Sequence, residues 1–135
     1  MFIRRAIFAI IFGVLILIFY FATKSSPTQV IINEKHISVD IADDDSERIR
    51  GLSGRKSLAK DHGMLFIFPT KNIQTFWMKD MRFPLDIIWI SGDKVIGLSE
   101  NLQPEGLNPR NFYSSSASVD KVLEINAGLV KDLDI

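Results

Sequence analysis

Two carboxylates, one indole and two cations are the residues of this 135-residue chain whose type and spacing best suit chemistry. Asp86 stands in Pro84-Leu85-Asp86-Ile87-Ile88-Trp89-Ile90, where strand alternation puts it on one face with Ile88 and Ile90. Glu124 poses the same problem beside Val122 and Asn126. A carboxylate among apolar side chains needs a partner: desolvation raises its pKa, and a nearby arginine or backbone N–H groups lower it again. If both face one cleft, they can bind a cation or act as the general acid and base of a carboxylate-dependent hydrolase. The structural alternative is that each accepts hydrogen bonds from an irregular loop or pairs with Arg50 or Arg55. Buried charges are generally paired, which favours that alternative.

Trp77, Lys79 and Arg82 form the most ligand-like group, since an aromatic beside two cations suits a sugar, a carboxylate or a peptide terminus. The competing reading is a core tryptophan with solvated neighbours. The expected binding groove is lined by Trp77, Lys79, Arg55, Asp86 and Glu124. His62, beside Asp61, is a lone histidine in a polar stretch, and His36 falls in a turn; solvation accounts for both better than catalysis. Met64, Met78 and Met81 with His62 raise the idea of a soft copper site, but Met64 and Met78 lie within apolar strands, where packing explains them. No metal or cofactor is expected. The chain has no cysteine, so thiolate catalysis, cysteine-zinc sites, disulfides and lipid attachment through cysteine are all excluded. Serine-elbow, phosphate-loop, zinc-protease and dinucleotide fingerprints are absent from the sequence.

These residues must be positioned by strands. Val30 to Ile32 and Ile37 to Ile41 read as strands separated by Asn33 to His36, with Ile37, Val39 and Ile41 sharing a face. A helix of about two turns follows over residues 45 to 51: Asp44 and Glu47 make a capping box, Arg48 and Arg50 sit near its end, and Gly51 closes it. Gly51 to Gly63 reads as a surface loop with a turn of helix near Ser57 to Lys60. Met64 to Phe68 is a continuous apolar run, a strand buried on both faces, which Pro69 to Asn72 then turns. Gln74 to Met78 returns, Leu85 to Ile90 is the next strand, and Ser91-Gly92-Asp93 turns it into Val95 to Leu98. Asn101 to Ser118 is a long irregular loop able to dock an envelope protein. A strand at Val122 to Asn126 and a helical turn from Leu129 end the chain. The expected fold is mainly β, a compact β-sandwich or partly closed barrel with one short helix, preceded by an N-terminal transmembrane helix.

Ala6 to Ala22 is an apolar run of 17 residues behind Arg4 and Arg5. As a helix it is about 26 Å long, close to a hydrocarbon core of about 30 Å. Lys24 stands where signal cleavage needs a small residue, so an uncleaved anchor is preferred over a signal peptide. The arginines keep the N-terminus in the cytoplasm and export the rest. Residues 1–27 are thus expected to be a membrane anchor (or signal peptide) and linker, with membrane contact through residues 6–22. Residues 28–135 are expected to be a single extracytoplasmic β-rich domain; after cleavage it would be secreted or periplasmic. Setting Arg4, Arg5 and Lys24 aside leaves 13 basic against 16 acidic residues, a formal charge of −3, which argues against a nucleic-acid partner. The remaining partners are a small molecule or an envelope protein.

Arg50-Gly51-Leu52, Gly63-Met64-Leu65-Phe66, Phe76-Trp77-Met78-Lys79, Pro84-Leu85-Asp86 and Leu123-Glu124-Ile125-Asn126-Ala127-Gly128 occur in this order. Over residues 47 to 128 the chain resembles the small bacterial and archaeal family called domain of unknown function 192. The resemblance implies the same β architecture and no settled reaction. Three features depart from that family: Asp80-Met81 where many members carry Asn-Thr, Ser53-Gly54 where many carry Met and an aromatic, and an end at Ile135 before the usual Gly-Asp pair and final short strand. Either the domain closes without that strand or the sequence is truncated.

Overall fold

The computed structural model describes residues 27–135, so the apolar segment at residues 6–22 lies outside the described residues. Among the described residues no helix is long and apolar enough to cross a membrane. β1 (Gln29–Ile32) and β2 (Lys35–Ala42) form a hairpin whose two turn residues, Asn33 and Glu34, take positive φ of 47° and 65°. That left-handed pair suits the right-handed twist of the flanking strands. α1 (Asp45–Arg50) is capped as its sequence predicts: the Asp44 side chain accepts from the Glu47 amide at 2.8 Å. Glu47 reaches back to the Asp43 amide at 3.3 Å, one residue earlier than a standard capping box requires. The helical turn expected near Ser57 to Lys60 does not form, and that stretch is loop.

β3 (His62–Asn72), β5 (Leu85–Ser91), β6 (Lys94–Leu102) and β8 (Val119–Asn126) complete a six-stranded sheet in the order β1-β2-β3-β8-β5-β6. Its neighbours are antiparallel except β2 and β3. α1 and the loop after it provide that parallel crossover. The structure corrects the turn expected at Pro69 to Asn72, because β3 runs on to Asn72. The register with β8 shifts between Ile67 and Asn72, and Pro69, which has no N–H to donate, sits in that irregular stretch. β4 (Thr75–Trp77) leaves the main sheet and pairs with β7 (Phe112–Ser114) as a separate two-stranded ribbon. β7 lies inside the segment expected to be irregular. α2 (Leu129–Asp132) is a single closing turn.

The sheet is curled into a half-barrel, which decides between the two expected architectures. Alternation along its strands separates two apolar layers. On the first face Met64, Phe66, Leu85, Ile87, Trp89, Val119 and Val122 pack with Leu52, Met78 and Met81 from the covering loops. Phe76 and Tyr113 from the β4–β7 ribbon complete that cover. On the second face Ile37, Val39, Leu65, Ile88, Ile90, Leu123 and Ile125 pack beneath Val130 and Leu133 of the closing turn. β8 lies at the centre of the sheet, so its side chains reach the middle of both layers. Met64, Met78 and Met81 are all buried in the first layer, consistent with packing.

Candidate functional site

An open cavity of about 290 Å³ lies on the first face where α1, the chain from Gly51 to Ser53, β3 and β4 meet. Phe66 and Phe68 of β3 and Phe76 and Trp77 of β4 supply aromatic walls, with Leu52 and Met81 between them. Asp45, Arg48, Ile49 and Arg50 from α1 form part of its lining. Phe76 holds the aromatic group together: it meets Phe66 edge-on at 4.9 Å between centroids, Trp89 at 5.7 Å and Phe68 at 6.5 Å. Such perpendicular contacts satisfy the ring quadrupoles and stiffen the wall. Trp77 is 39% exposed and packs its ring edge-on against Phe112 at 6.3 Å. Both are therefore accessible at the edge of the domain.

Glu124 also lines this cavity. Its cross-strand neighbours are Met64 on β3 and Ile87 on β5, and it is 5% exposed. Its carboxylate accepts no hydrogen bond among the described residues, and burial alone pushes its pKa up from 4.5 to about 8. At neutral pH the group is therefore mostly the neutral acid, able to donate as well as accept. Gly51 roofs it. A Cβ at that position would stand 3.3 Å from Phe66 Cζ and 4.0 Å from Glu124 Oε2, and the backbone φ of +49° itself favours glycine.

Arg48 is committed to the scaffold. It donates to the Ile67 carbonyl at 2.8 Å, to Asp45 at 2.7 Å and to the Asp43 carbonyl, and its guanidinium lies 5.5 Å from the Phe68 ring centroid. Arg50 is exposed and has no ion-pair partner among the described residues.

Asp86 points to the other face. It is 1% exposed and accepts the amides of Asn101 at 2.8 Å, Gly128 at 2.8 Å and Val130 at 3.2 Å. Backbone donors thus hold it, and two of them belong to the start of α2, so its work is to cap the closing turn. The expected acid–base pair of Asp86 and Glu124 is corrected by this geometry, because groups on opposite faces of one sheet cannot reach one substrate. The expected groove is narrowed likewise: Trp77 and Glu124 meet at the cavity, whereas Lys79, Arg55 and Asp86 do not line it. Arg55 pairs with Asp40 at 2.7 Å on the surface. Exposed Lys79 follows β4, and its carbonyl accepts from Ser53 Oγ at 2.8 Å. His62 bonds Asp61 at 3.0 Å, a contact that lowers the Asp61 pKa. Among the described residues no group of three His, Asp or Glu side chains could hold a metal ion.

The wall residues Phe66, Phe68 and Phe76 were not expected at the site, since apolar strands read as core. The one available signal was the Arg50-Gly51-Leu52 block, whose glycine needs a structural reason.

Fold and site together define a small curled β half-barrel carrying an aromatic cavity with one buried acid inside it. The chain belongs to the family of domain of unknown function 192, described as Uncharacterized ACR, whose profile matches residues 28–135. It is similar to a solved Sinorhizobium meliloti protein provisionally described as a transcription regulator, at 33% identity and a TM-score of 0.72, covering 83% of this chain and 91% of that one. It is also similar to a solved Novosphingobium aromaticivorans protein of unknown function, at 26% identity and a TM-score of 0.72, covering 84% and 90%. No curated protein matches the chain.

Proposed function

We propose that this domain is a non-catalytic binding module of the cell envelope that takes a small, largely apolar ligand in the cavity between α1 and β4. One observation carries the reading: Glu124, a buried acid with no hydrogen-bond partner among the described residues, lines an aromatic cavity open to solvent. Its carboxyl oxygens meet the cavity rather than any protein donor, and a few convergent polar groups in an apolar cleft are what small-molecule sites present. The separation of Glu124 from Asp86 removes the support for the hydrolase alternative. The tether is part of the same proposal. Residues 6–22 anchor the chain in the membrane with the domain outside, supported by the length of the apolar run and the Arg4-Arg5 flank. The formal charge of −3 on residues 28–135 argues against carrying over the nucleic-acid role suggested for the Sinorhizobium meliloti protein.

Screening small amphiphilic molecules by amide and indole NMR shifts tests the binding reading. Shifts clustered on Phe66, Phe76, Trp77 and Gly51 are expected, and shifts confined to the far side of the sheet would reject the cavity. Mass spectrometry of membrane-extracted protein tests the tether: a mature N-terminus near Ser25 or Ser26 would mean a cleaved signal peptide.

A further inference from the structure

We propose that the cavity ligand is a small organic cation, a primary ammonium on an apolar body, whose charged head pairs with the Glu124 carboxylate. The inference rests on the cavity being the binding site and adds the chemical class of what enters it.

Three observations converge on this class. First, the same-face neighbours of Glu124 are Met64, Ile87 and Val122, which carry no hydrogen-bond donor for a carboxylate, and Asn126, whose side-chain amide is given to the Leu58 and Ala59 carbonyls at 3.1 and 3.0 Å. The carboxyl oxygens, which reach the open cavity, are therefore left to water or to a donor carried by a ligand. Second, Phe66, Phe68, Phe76 and Trp77 line the same space. The Phe68 ring is already taken by the Arg48 guanidinium, but a face presented by any of the other three attracts a cation and repels an anion, the sign of charge that the acid also selects. Third, the volume of about 290 Å³ suits a body of one ring or a short chain.

The other charged side chains lining the cavity are Asp45, Arg48 and Arg50, all on α1. Asp45 and two backbone carbonyls engage Arg48, and the exposed Arg50 is screened by water. On the same sheet face Asp40 of β2, opposite Met64, is paired with Arg55, and His62 of β3 is bonded to Asp61; neither lines the cavity, and β4 and β5 carry no titratable side chain there. Its proton therefore governs the electrostatics there. In the free domain burial keeps the acid protonated at neutral pH. Binding an ammonium then ionises Glu124 and releases one proton to solvent, while the amine keeps its own. Affinity should accordingly rise about tenfold per pH unit below pH about 8, then fall once the amine itself deprotonates, near pH 10.4 for an alkylamine.

Isothermal titration of the full-length protein in non-ionic detergent micelles decides the matter, with 2-phenylethylamine, 2-phenylethanol and 3-phenylpropionate compared at pH 6, 7 and 8. The amine is expected to bind preferentially, to tighten about tenfold from pH 6 to pH 7, and to release close to one proton at both, read from two buffers of different ionisation enthalpy. Glu124→Gln should weaken the amine at least about tenfold at pH 8, with thermal unfolding checking that the variant folds. The proton release and the preference for amine are read on the native chain, so a misfolded variant does not remove the test. Preferential binding of the alcohol or the carboxylate, weakened by Trp77→Ala, would overturn the cation and leave the cavity as the site. Binding of none of the three, or binding indifferent to both substitutions, would overturn the cation and the binding module together.

Discussion

Asp86 and Glu124 stand one position out of register across the β5–β8 ladder: Asp86 is opposite Ile125, and Glu124 is opposite Ile87. Because side chains alternate along each strand, this single offset sends the two carboxylates to opposite faces of the sheet. Their environments then diverge. Asp86 meets three backbone amides, whereas Glu124 meets apolar side chains and a solvent-connected cavity. One carboxylate holds the fold and the other is available to a ligand.

Asp86→Ala should destabilise the domain by roughly 3 kcal/mol, since it leaves the amides of Asn101, Gly128 and Val130 without their acceptor. Asp86→Asn keeps one oxygen and should cost less. Denaturant unfolding of both variants measures the difference, and an unchanged midpoint for both would contradict the capping role.

Glu124 should make the domain less stable as pH rises. Its folded pKa of about 8 lies above its ordinary 4.5, so the folded state holds the proton after the unfolded chain has lost it. The contribution is fully present below pH 4.5, declines by up to about 1.4 kcal/mol per pH unit through the window to about 8, and is gone above it. Glu124→Gln should remove that slope. Unfolding free energies of native and variant protein at pH 5, 6, 7 and 8 check this, and parallel curves would show that the acid is not desolvated.

Gly63→Ala should destabilise by about 2 kcal/mol or more. A Cβ there would lie 2.7 Å from the Glu124 carbonyl oxygen and 3.0 Å from Ile125 Cγ2, so the β3–β8 ladder itself must shift. A thermal midpoint equal to that of the native chain would mean that the strands accommodate the methyl group.

Trp77→Ala should weaken a cavity ligand by about 1 to 2 kcal/mol while leaving the fold intact, because the indole lines the cavity and is partly exposed. Lys79→Ala and Arg55→Ala should leave that affinity unchanged, as neither lines it. Titration calorimetry with any ligand that shifts the Trp77 indole resonance compares the three. A larger loss for Lys79→Ala than for Trp77→Ala would relocate the site.

Local physics made several features legible from the sequence. Period-two alternation marked β2 and the two faces of β5, the Asp44 to Glu47 spacing marked the start of α1, and Gly51 marked its end. The same alternation showed that Asp86 and Glu124 each share a face with apolar residues, and hence that each needs an explanation. What alternation leaves open is which face of one strand coincides with which face of another. That depends on the pairing of β5 with β8, residues about forty positions apart, and is set only when both layers pack. Strand order is equally non-local: Gln74 to Met78 reads as one more strand, yet β4 leaves the sheet to pair with β7 and so builds the aromatic wall over Glu124. The sequence by itself determined most of the strands, though not β7 or the end of β3, and which carboxylates were anomalous. Only the tertiary structure decided that one anomaly is satisfied by backbone amides and the other is offered to a cavity, because burial and hydrogen bonding at a side chain are properties of its neighbours in space.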